Sequence, residues 1–337
     1  MKYFPSAGRF LVVGAGFSGA TVARELAEAG HHVTVIDRRP HIAGNAYDET
    51  NEYGIRVHKY GPHIFHTNND RVYEYLSQFT SWEKYDHRVK ALLDDGRYVT
   101  FPPNKETKEI IGEKNVVDVF YRPYTKKMWG KELEEVSPKI LERVPGRDDL
   151  EDRYFPNDKY CCMPVGGYTG LIENMLDHPN IFTYLNVEFK KHMETSFHHV
   201  FNSMAIDTYY NYEFGELEYR SIKFHTTTVP MKRVLPATTV NFTNDGPFTR
   251  ITEWKNMPLH GDNPHYTTLT AEEPCDYRDN DYERYYPVSD DINKERYAKY
   301  AAIKNDKVTF IGRCGQYVYI DMHQAVNSAL RIAMDHK

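Results

Sequence analysis

The chain has 337 residues, 40% hydrophobic and 27% charged, with a formal net charge of −6 at pH 7; at roughly 100–200 residues per domain this means two or three domains, long enough to pack cores without a disulfide or metal staple. The acidic balance excludes a broad nucleic-acid-binding face, although a few arginines in one cleft can hold a small anion whatever the total charge. The four cysteines, Cys161, Cys162, Cys275 and Cys314, contain no CxxC pair, which excludes a zinc pattern or a disulfide framework, and with no long apolar run the expectation is a cytoplasmic protein without membrane insertion.

In chain order, Phe10–Val13 is a short apolar β-type run that meets Gly14. Residues 21–29 carry Val22, Leu26 and Ala29 at helical spacing. Gly30 stands where a helix C-cap belongs, and His32–Ile36 is a second strand ending at Asp37. From about Asn69 to Leu141 the pattern is mostly helical, with strand-like interruptions at Val89–Leu93 and Tyr98–Phe101. A helix is expected around Leu171–Leu176. Alternation between Val200 and Tyr286, as in Leu217, Tyr219, Ser221 and Lys223, predicts a mainly antiparallel sheet. Val308–Ile311 reads as a strand, Gly312–Gly315 as a turn, and Asp321–Met334 as a helix capped by Asp321.

Gly14, Gly16, Phe17, Ser18 and Gly19 form a G-x-G-x-x-G segment between the first strand and the first helix. Gly14 permits the tight turn, Gly16 leaves room for a pyrophosphate, and Gly19 lets helix and sheet approach. The helix N-terminus offers free N–H groups to phosphates, and Asp37 lies at the offset from which a carboxylate meets the adenosine ribose. This motif does not separate NAD from FAD. A single copy, together with the strand–Gly-Arg–helix unit at Gly312, Arg313 and Asp321, favours FAD. The fold class read from the sequence is α/β. A discontinuous Rossmann-type FAD-binding domain (1–67, 159–206 and 306–337) joins a helical domain (68–147) and an antiparallel β-sheet substrate domain (148–158 and 207–305). Tyrosine is abundant, with 27 copies against 3 tryptophans; it pairs an apolar ring with a hydroxyl, which suits sugars and nucleobases as well as strands.

Gly44-Asn45, Gly61-Pro62-His63-Ile64-Phe65-His66-Thr67, Tyr124 to Gly130, Glu218 to Ser221, Phe248 to Glu253, Tyr285-Tyr286-Pro287 and Gly312-Arg313 with Tyr319-Ile320-Asp321 occur in this order. Together they resemble bacterial UDP-galactopyranose mutases from Phe10 to about Leu330. The resemblance implies a cofactor set of Gly14, Gly16, Phe17, Ser18, Gly19, Asp37, Arg38, Gly44, Asn45, His63, Ile64, Gly312, Arg313, Tyr319, Asp321 and Met322. It implies a sugar-nucleotide set of Phe65, His87, Tyr124, Trp129, Arg143, Tyr154, Phe155, Arg220, Arg250, Arg313 and Tyr319, with Tyr285 or Tyr286 at a phosphate. Catalytic roles fall to Arg143, Arg220, Arg250, Arg313 and His63, and no metal is expected. Asp37 stands where many relatives have Glu, and His87 where the family often has Asn. Arginine suits a buried diphosphate because its planar fork donates two bonds at once.

The activity implied is an isomerisation of UDP-galactopyranose to UDP-galactofuranose for cell-surface polysaccharide biosynthesis. In it the N5 of reduced FAD forms a covalent adduct with sugar C1, without net redox change. An external reductant such as NAD(P)H is then required, and a homodimer is allowed. Three other readings remain: the same chemistry on UDP-N-acetylgalactosamine or dTDP-fucose, a flavin oxidase of the amine-oxidase type, and a non-enzymatic flavin sensor.

Overall fold

The computed structural model describes residues 7–136 and 146–337. Five parallel strands form one sheet, in the spatial order Ile181–Leu185, His32–Asp37, Arg9–Val13, His199–Asn202 and Val308–Phe310. The central strand is buried from Phe10 to Val13. It reads as a continuous apolar run because a parallel strand covered on both faces has no solvent side to alternate with.

Helix Phe17–Glu28 covers this sheet with Ala20, Val22, Ala23 and Leu26, all fully buried. It stops at Ala29, and Gly30 follows with φ +89°, the left-handed geometry of a helix terminus. Helix Met322–Met334 packs beside it through Val326, Ala329, Leu330 and Ala333. These positions are i, i+3, i+4 and i+7, so one stripe is buried. As expected, Asp321 starts this helix, in a reciprocal capping box with Gln324. Each buried leucine or valine of this layer contributes roughly 1.5–3 kcal/mol.

The second sheet has seven strands, in the order Tyr286–Pro287, Tyr219–Val229, Thr267–Asp276, Arg250–Glu253, Thr239–Phe242, Val89–Leu92 and Tyr98–Phe101. Neighbours are antiparallel except for the parallel pair Thr239–Phe242 and Val89–Leu92. The last two strands are the strand-like interruptions expected within the mostly helical span, and they join this sheet rather than a helical domain. Val89 and Ala91 alternate with half-buried Lys90 and Leu92. Their apolar face joins Val99, Phe101 and Phe120 in a separate cluster, and that burial sets the strand period over a locally helical background.

A third, three-stranded antiparallel sheet orders Phe65–Thr67, Tyr160–Pro164 and Trp82–Lys84. It ties the segment after Gly61–Pro62 to the adjacent pair Cys161–Cys162. The four cysteines are free thiols. Among the described residues no helix is long and apolar enough to cross a membrane, and no group of His, Cys, Asp or Glu is arranged to hold a metal.

Candidate active site

The glycine turn shows why each glycine is present. Gly14 has φ +103°, and a Cβ there would collide with Ser203 Oγ. A Cβ on Gly19 would collide with the Gly14 carbonyl oxygen. Gly16 differs. A Cβ there would meet the backbone of Gly44 and Ala43 at 3.5 Å or more, ordinary contacts. The protein itself does not require Gly16, so the space in front of it is the cradle that a pyrophosphate would fill. Gly16 caps helix Phe17–Glu28 without any side-chain bond, and the first turn holds no acid. Its N–H groups therefore lack a competing partner for a phosphate.

Asp37 first serves the protein. Its Oδ2 accepts from the Ala15 N–H (2.8 Å) and its Oδ1 from the Arg39 N–H (2.9 Å). Remaining lone pairs on the same oxygens can accept from ribose hydroxyls. Gly44 touches Gly16 backbone to backbone, with φ +56°. Arg38 is exposed and pairs with Glu283 at 2.6 Å. Its neighbour Arg39, which sequence reasoning passed over, is the inward one. It pairs with the same Glu283, donates to Asn45 Oδ1 (2.9 Å), and lies 4.3 Å from the Tyr60 ring centroid. Which of two adjacent arginines turns inward depends on the exit of the strand, which no local pattern records.

His63 sits beyond the Gly61–Pro62 turn. Its Nδ1 meets the Gly61 carbonyl at 2.8 Å, so in the neutral ring Nδ1–H is the donor and Nε2 the free acceptor. Burial, with the charges of Arg313 and Arg250, pushes it down to about 4. Ile64 packs against the main core. Phe65 is fully buried and stacks on Trp82 at 4.8 Å. It is a core residue, which corrects its expected place in the sugar-nucleotide set: alternation in this strand turns it away from the cleft.

Arg250 and Glu272 oppose each other across two strands and pair at 2.8 Å. Glu272 is 1% exposed, and its Oε1 has no hydrogen-bond partner. Burial raises the Glu272 carboxyl and the facing guanidinium opposes that rise. Burial alone would lower Arg250, but Glu272, Tyr286 and Tyr124 outweigh it and hold the arginine charged. With Nε engaged by Glu272, the terminal N–H groups are the ones that can face an anion. Arg313 donates to the carbonyls of Tyr285 (3.0 Å) and Ile320 (2.7 Å), with its guanidinium 4.7 Å from the Tyr319 ring and 5.4 Å from Tyr286. Gly312 has φ +71° and abuts Ser18, so this arginine hangs directly beside the glycine cradle. Asp321 and Met322 begin the helix that follows.

Alternation separates the two candidate tyrosines. Tyr286 stacks on Tyr319 at 5.5 Å and shares the electrostatic surroundings of Arg250, Glu272 and Arg313. Tyr285 is buried among Tyr60 and Phe224 instead. Tyr124 also faces Arg250, and burial pushes its phenol up to about 12, so it remains a donor.

Arg220 has a different partner. Its Nε donates to the Met128 carbonyl (2.7 Å) and Nη2 to Lys127 (3.3 Å). It therefore caps the C-terminus of helix Arg122–Trp129, the element that carries Tyr124 and Trp129. A further wall holds Tyr154 and Phe155. Phe155 lies flat on His66 at 3.6 Å, and His66 meets Asp158 at 2.6 Å. His87 is buried 5.6 Å from the Tyr154 ring, and its Nδ1 meets the Tyr85 hydroxyl at 3.0 Å. Burial, Arg250 and His66 push it down to about 3, so the ring is neutral. Arg143 lies outside the described residues. Glu272 and Asp158 escaped the sequence reading because the residues they meet, Arg250 and His66, lie far from them along the chain. A groove of about 500 Å³ adjoins the cleft through Tyr60, Phe224 and Tyr285, and its walls do not include Arg250, Arg313 or His63.

A Rossmann cradle that opens on two arginines, three phenols and a neutral histidine defines a dinucleotide-binding enzyme for an anionic substrate. A family model for NAD(P)-binding Rossmann-like domains matches residues 12–79, and one described as UDP-galactopyranose mutase matches residues 119–319. A probable UDP-galactopyranose mutase of Klebsiella pneumoniae is 34% identical over 96% of this chain and 93% of its own. A dTDP-fucopyranose mutase of Escherichia coli is 33% identical over 96% of this chain and 97% of its own. The fold matches a crystal structure of reduced UDP-galactopyranose mutase with a TM-score of 0.74 at 15% identity, covering 98% of this chain and 93% of the other. The chain belongs to the UDP-galactopyranose mutase family and is an isomerase of that class.

Proposed function

We propose that this enzyme binds FAD and interconverts UDP-galactopyranose and UDP-galactofuranose. The observation that carries the reading is the meeting of Arg250, Arg313, Tyr124, Tyr286 and Tyr319 on the His63 side of the glycine cradle. When bound and reduced by an external donor such as NAD(P)H, FAD supplies the N5 nucleophile for sugar C1 in a reaction without net redox change.

The chain's own residues do the rest. Gly16 and the free N–H groups of the first helix hold the cofactor pyrophosphate. Asp37 would hold the ribose, and His63, with Nε2 free to accept, would border the flavin. Arg250 and Arg313 hold the diphosphate as it leaves and returns, each charge-assisted bond contributing about 1.5–3 kcal/mol. Tyr286, rather than Tyr285, donates to a phosphate. Tyr124 donates beside it, and Tyr154 and Phe155 stack with the base. Glu272 offsets one of the two arginine charges and orients Arg250 through its Nε.

A second reading keeps the chemistry and changes the sugar nucleotide to dTDP-fucose. The relative of that name is 33% identical, and His87 stands where the family often has Asn. One experiment tests both. Purified, dithionite-reduced protein is incubated with UDP-galactofuranose or dTDP-fucofuranose, and products are separated by chromatography. Conversion of the UDP-sugar in the reduced sample alone is expected. Conversion of only the dTDP-sugar transfers the assignment, and no conversion by the FAD-loaded protein overturns both readings.

A further inference from the structure

We propose that His58 and His260 are positioning residues for His63, a relay of two imidazoles that registers the arginine-bearing sheet against the cofactor side of the cleft; this rests on the flavin reading above.

The proton positions follow from the distances. His260 Nδ1 lies 2.8 Å from the Pro258 carbonyl, which can only accept, so Nδ1 carries the proton and Nε2 is bare. His58 Nε2 lies 2.9 Å from that bare nitrogen and must donate. His58 Nδ1 is then bare as well, and it accepts the backbone N–H of His63 at 3.1 Å. Each ring holds one proton, and each proton has one acceptor. A second proton on either ring would face a donor, so the relay exists only with both rings neutral. Burial keeps them so: His58 is fully buried and His260 is 3% exposed.

The surroundings fit this assignment. Asp48 is the nearest charge, 3.9 Å from His58 Nε2. Its oxygens are already engaged by the N–H groups of Tyr168 (2.8 Å) and Thr169 (3.0 Å) at the start of helix Gly167–Leu176. Arg56 is the other charged neighbour, and like His63 and His260 it opposes protonation of His58. The rings of Trp254 and Tyr168 close the remaining sides.

The path has a mechanical sense. Arg250 lies on the strand that ends at Glu253 and runs directly into Trp254–Asn256 and then His260. His58 lies five residues before His63, across the Gly61–Pro62 turn. The relay therefore ties the two sides of the cleft at a fixed separation. Its loss would let the His63 backbone drift while leaving Arg250 and Arg313, and with them substrate affinity, in place.

The test compares variants of the FAD-loaded enzyme. His58→Phe is expected to lower kcat about tenfold with an unchanged KM for the sugar nucleotide, and to shift the flavin absorption band. His58→Gln, whose amide can accept from His63 and donate to His260, is expected to recover most of both. His260→Ala, made in parallel in case the phenylalanine does not fold, should behave like His58→Phe. The reference is His63→Ala. If that variant turns over like the wild type, the reading of His63 beside the flavin fails. If it is slow while His58→Phe or His260→Ala keeps both kcat and spectrum, the relay is overturned and the flavin reading stands.

Discussion

The glycine cradle and the arginine cleft lie side by side, yet they are encoded differently. The cradle is local. Gly14, Gly16, Gly19 and Asp37 fall within one β–α–β unit, and their spacing alone sets their places. The cleft is assembled from distant segments. Arg250 meets Glu272 through strand register, Arg313 arrives from the last Rossmann crossing, and His63 follows a turn near the start. A local site tolerates changes elsewhere in the chain. A site set by register depends on every strand that fixes it.

The largest effect should come from breaking the register pair. Arg250→Ala leaves Glu272 buried without its counter-charge and is expected to cost about 3–5 kcal/mol of stability, measured by urea unfolding, along with a loss of about a hundredfold or more in kcat/KM. Arg250→Ala combined with Glu272→Gln should recover much of the stability and none of the activity. If both return together, the arginine acts only through folding.

The cradle predicts the opposite pattern. Gly16→Ala should fold with near-native stability as apoprotein, since its surroundings leave room for a first side-chain carbon, but should lose FAD, read by absorbance after gel filtration. Gly19→Ala should instead destabilise the apoprotein, because its Cβ has nowhere to go.

Acid should act through the buried imidazoles. His63, His87 and His260 are held down to about 4, 3 and 4 by burial first. Their unfolded counterparts take up protons near pH 6.5, so between that value and about 4 the unfolded chain binds more protons than the native one. Stability therefore falls as pH drops through this window. Denaturation midpoints at pH 7.5, 6 and 5 should decrease in that order, and His87→Asn should flatten the trend. A midpoint independent of pH would mean these rings are solvated.

The smallest effect is assigned to Arg220. Its bonds to the Met128 and Lys127 carbonyls make it a helix cap. Arg220→Ala should cost roughly 1 kcal/mol and raise KM modestly through Tyr124 and Trp129, whereas a direct diphosphate ligand would behave like Arg250.

What the sequence made legible follows the same division. The Rossmann unit and the Asp321 cap are short-range patterns, and the structure has both where the spacing puts them; Gly312–Gly315, expected as a turn, closes into a single helical turn. The seven-stranded sheet was legible only in part. Val89–Leu92 and Tyr98–Phe101 looked like interruptions of a helical stretch because their partners, Thr239–Phe242 above all, lie far along the chain. The resemblance alone puts Phe65 in the sugar-nucleotide set, yet strand alternation buries it. Tyr285 and Tyr286 could be told apart only once their strand had a face.

The most direct test of the account is a titration of the oxidised holoenzyme with UDP, followed through the flavin absorption band. A cleft that places the diphosphate beside the cofactor predicts a saturable spectral change in the wild type that Arg250→Ala and Arg313→Ala each weaken by at least about tenfold. Saturable UDP binding by calorimetry with no change in the flavin spectrum in any variant would place the nucleotide elsewhere and contradict it.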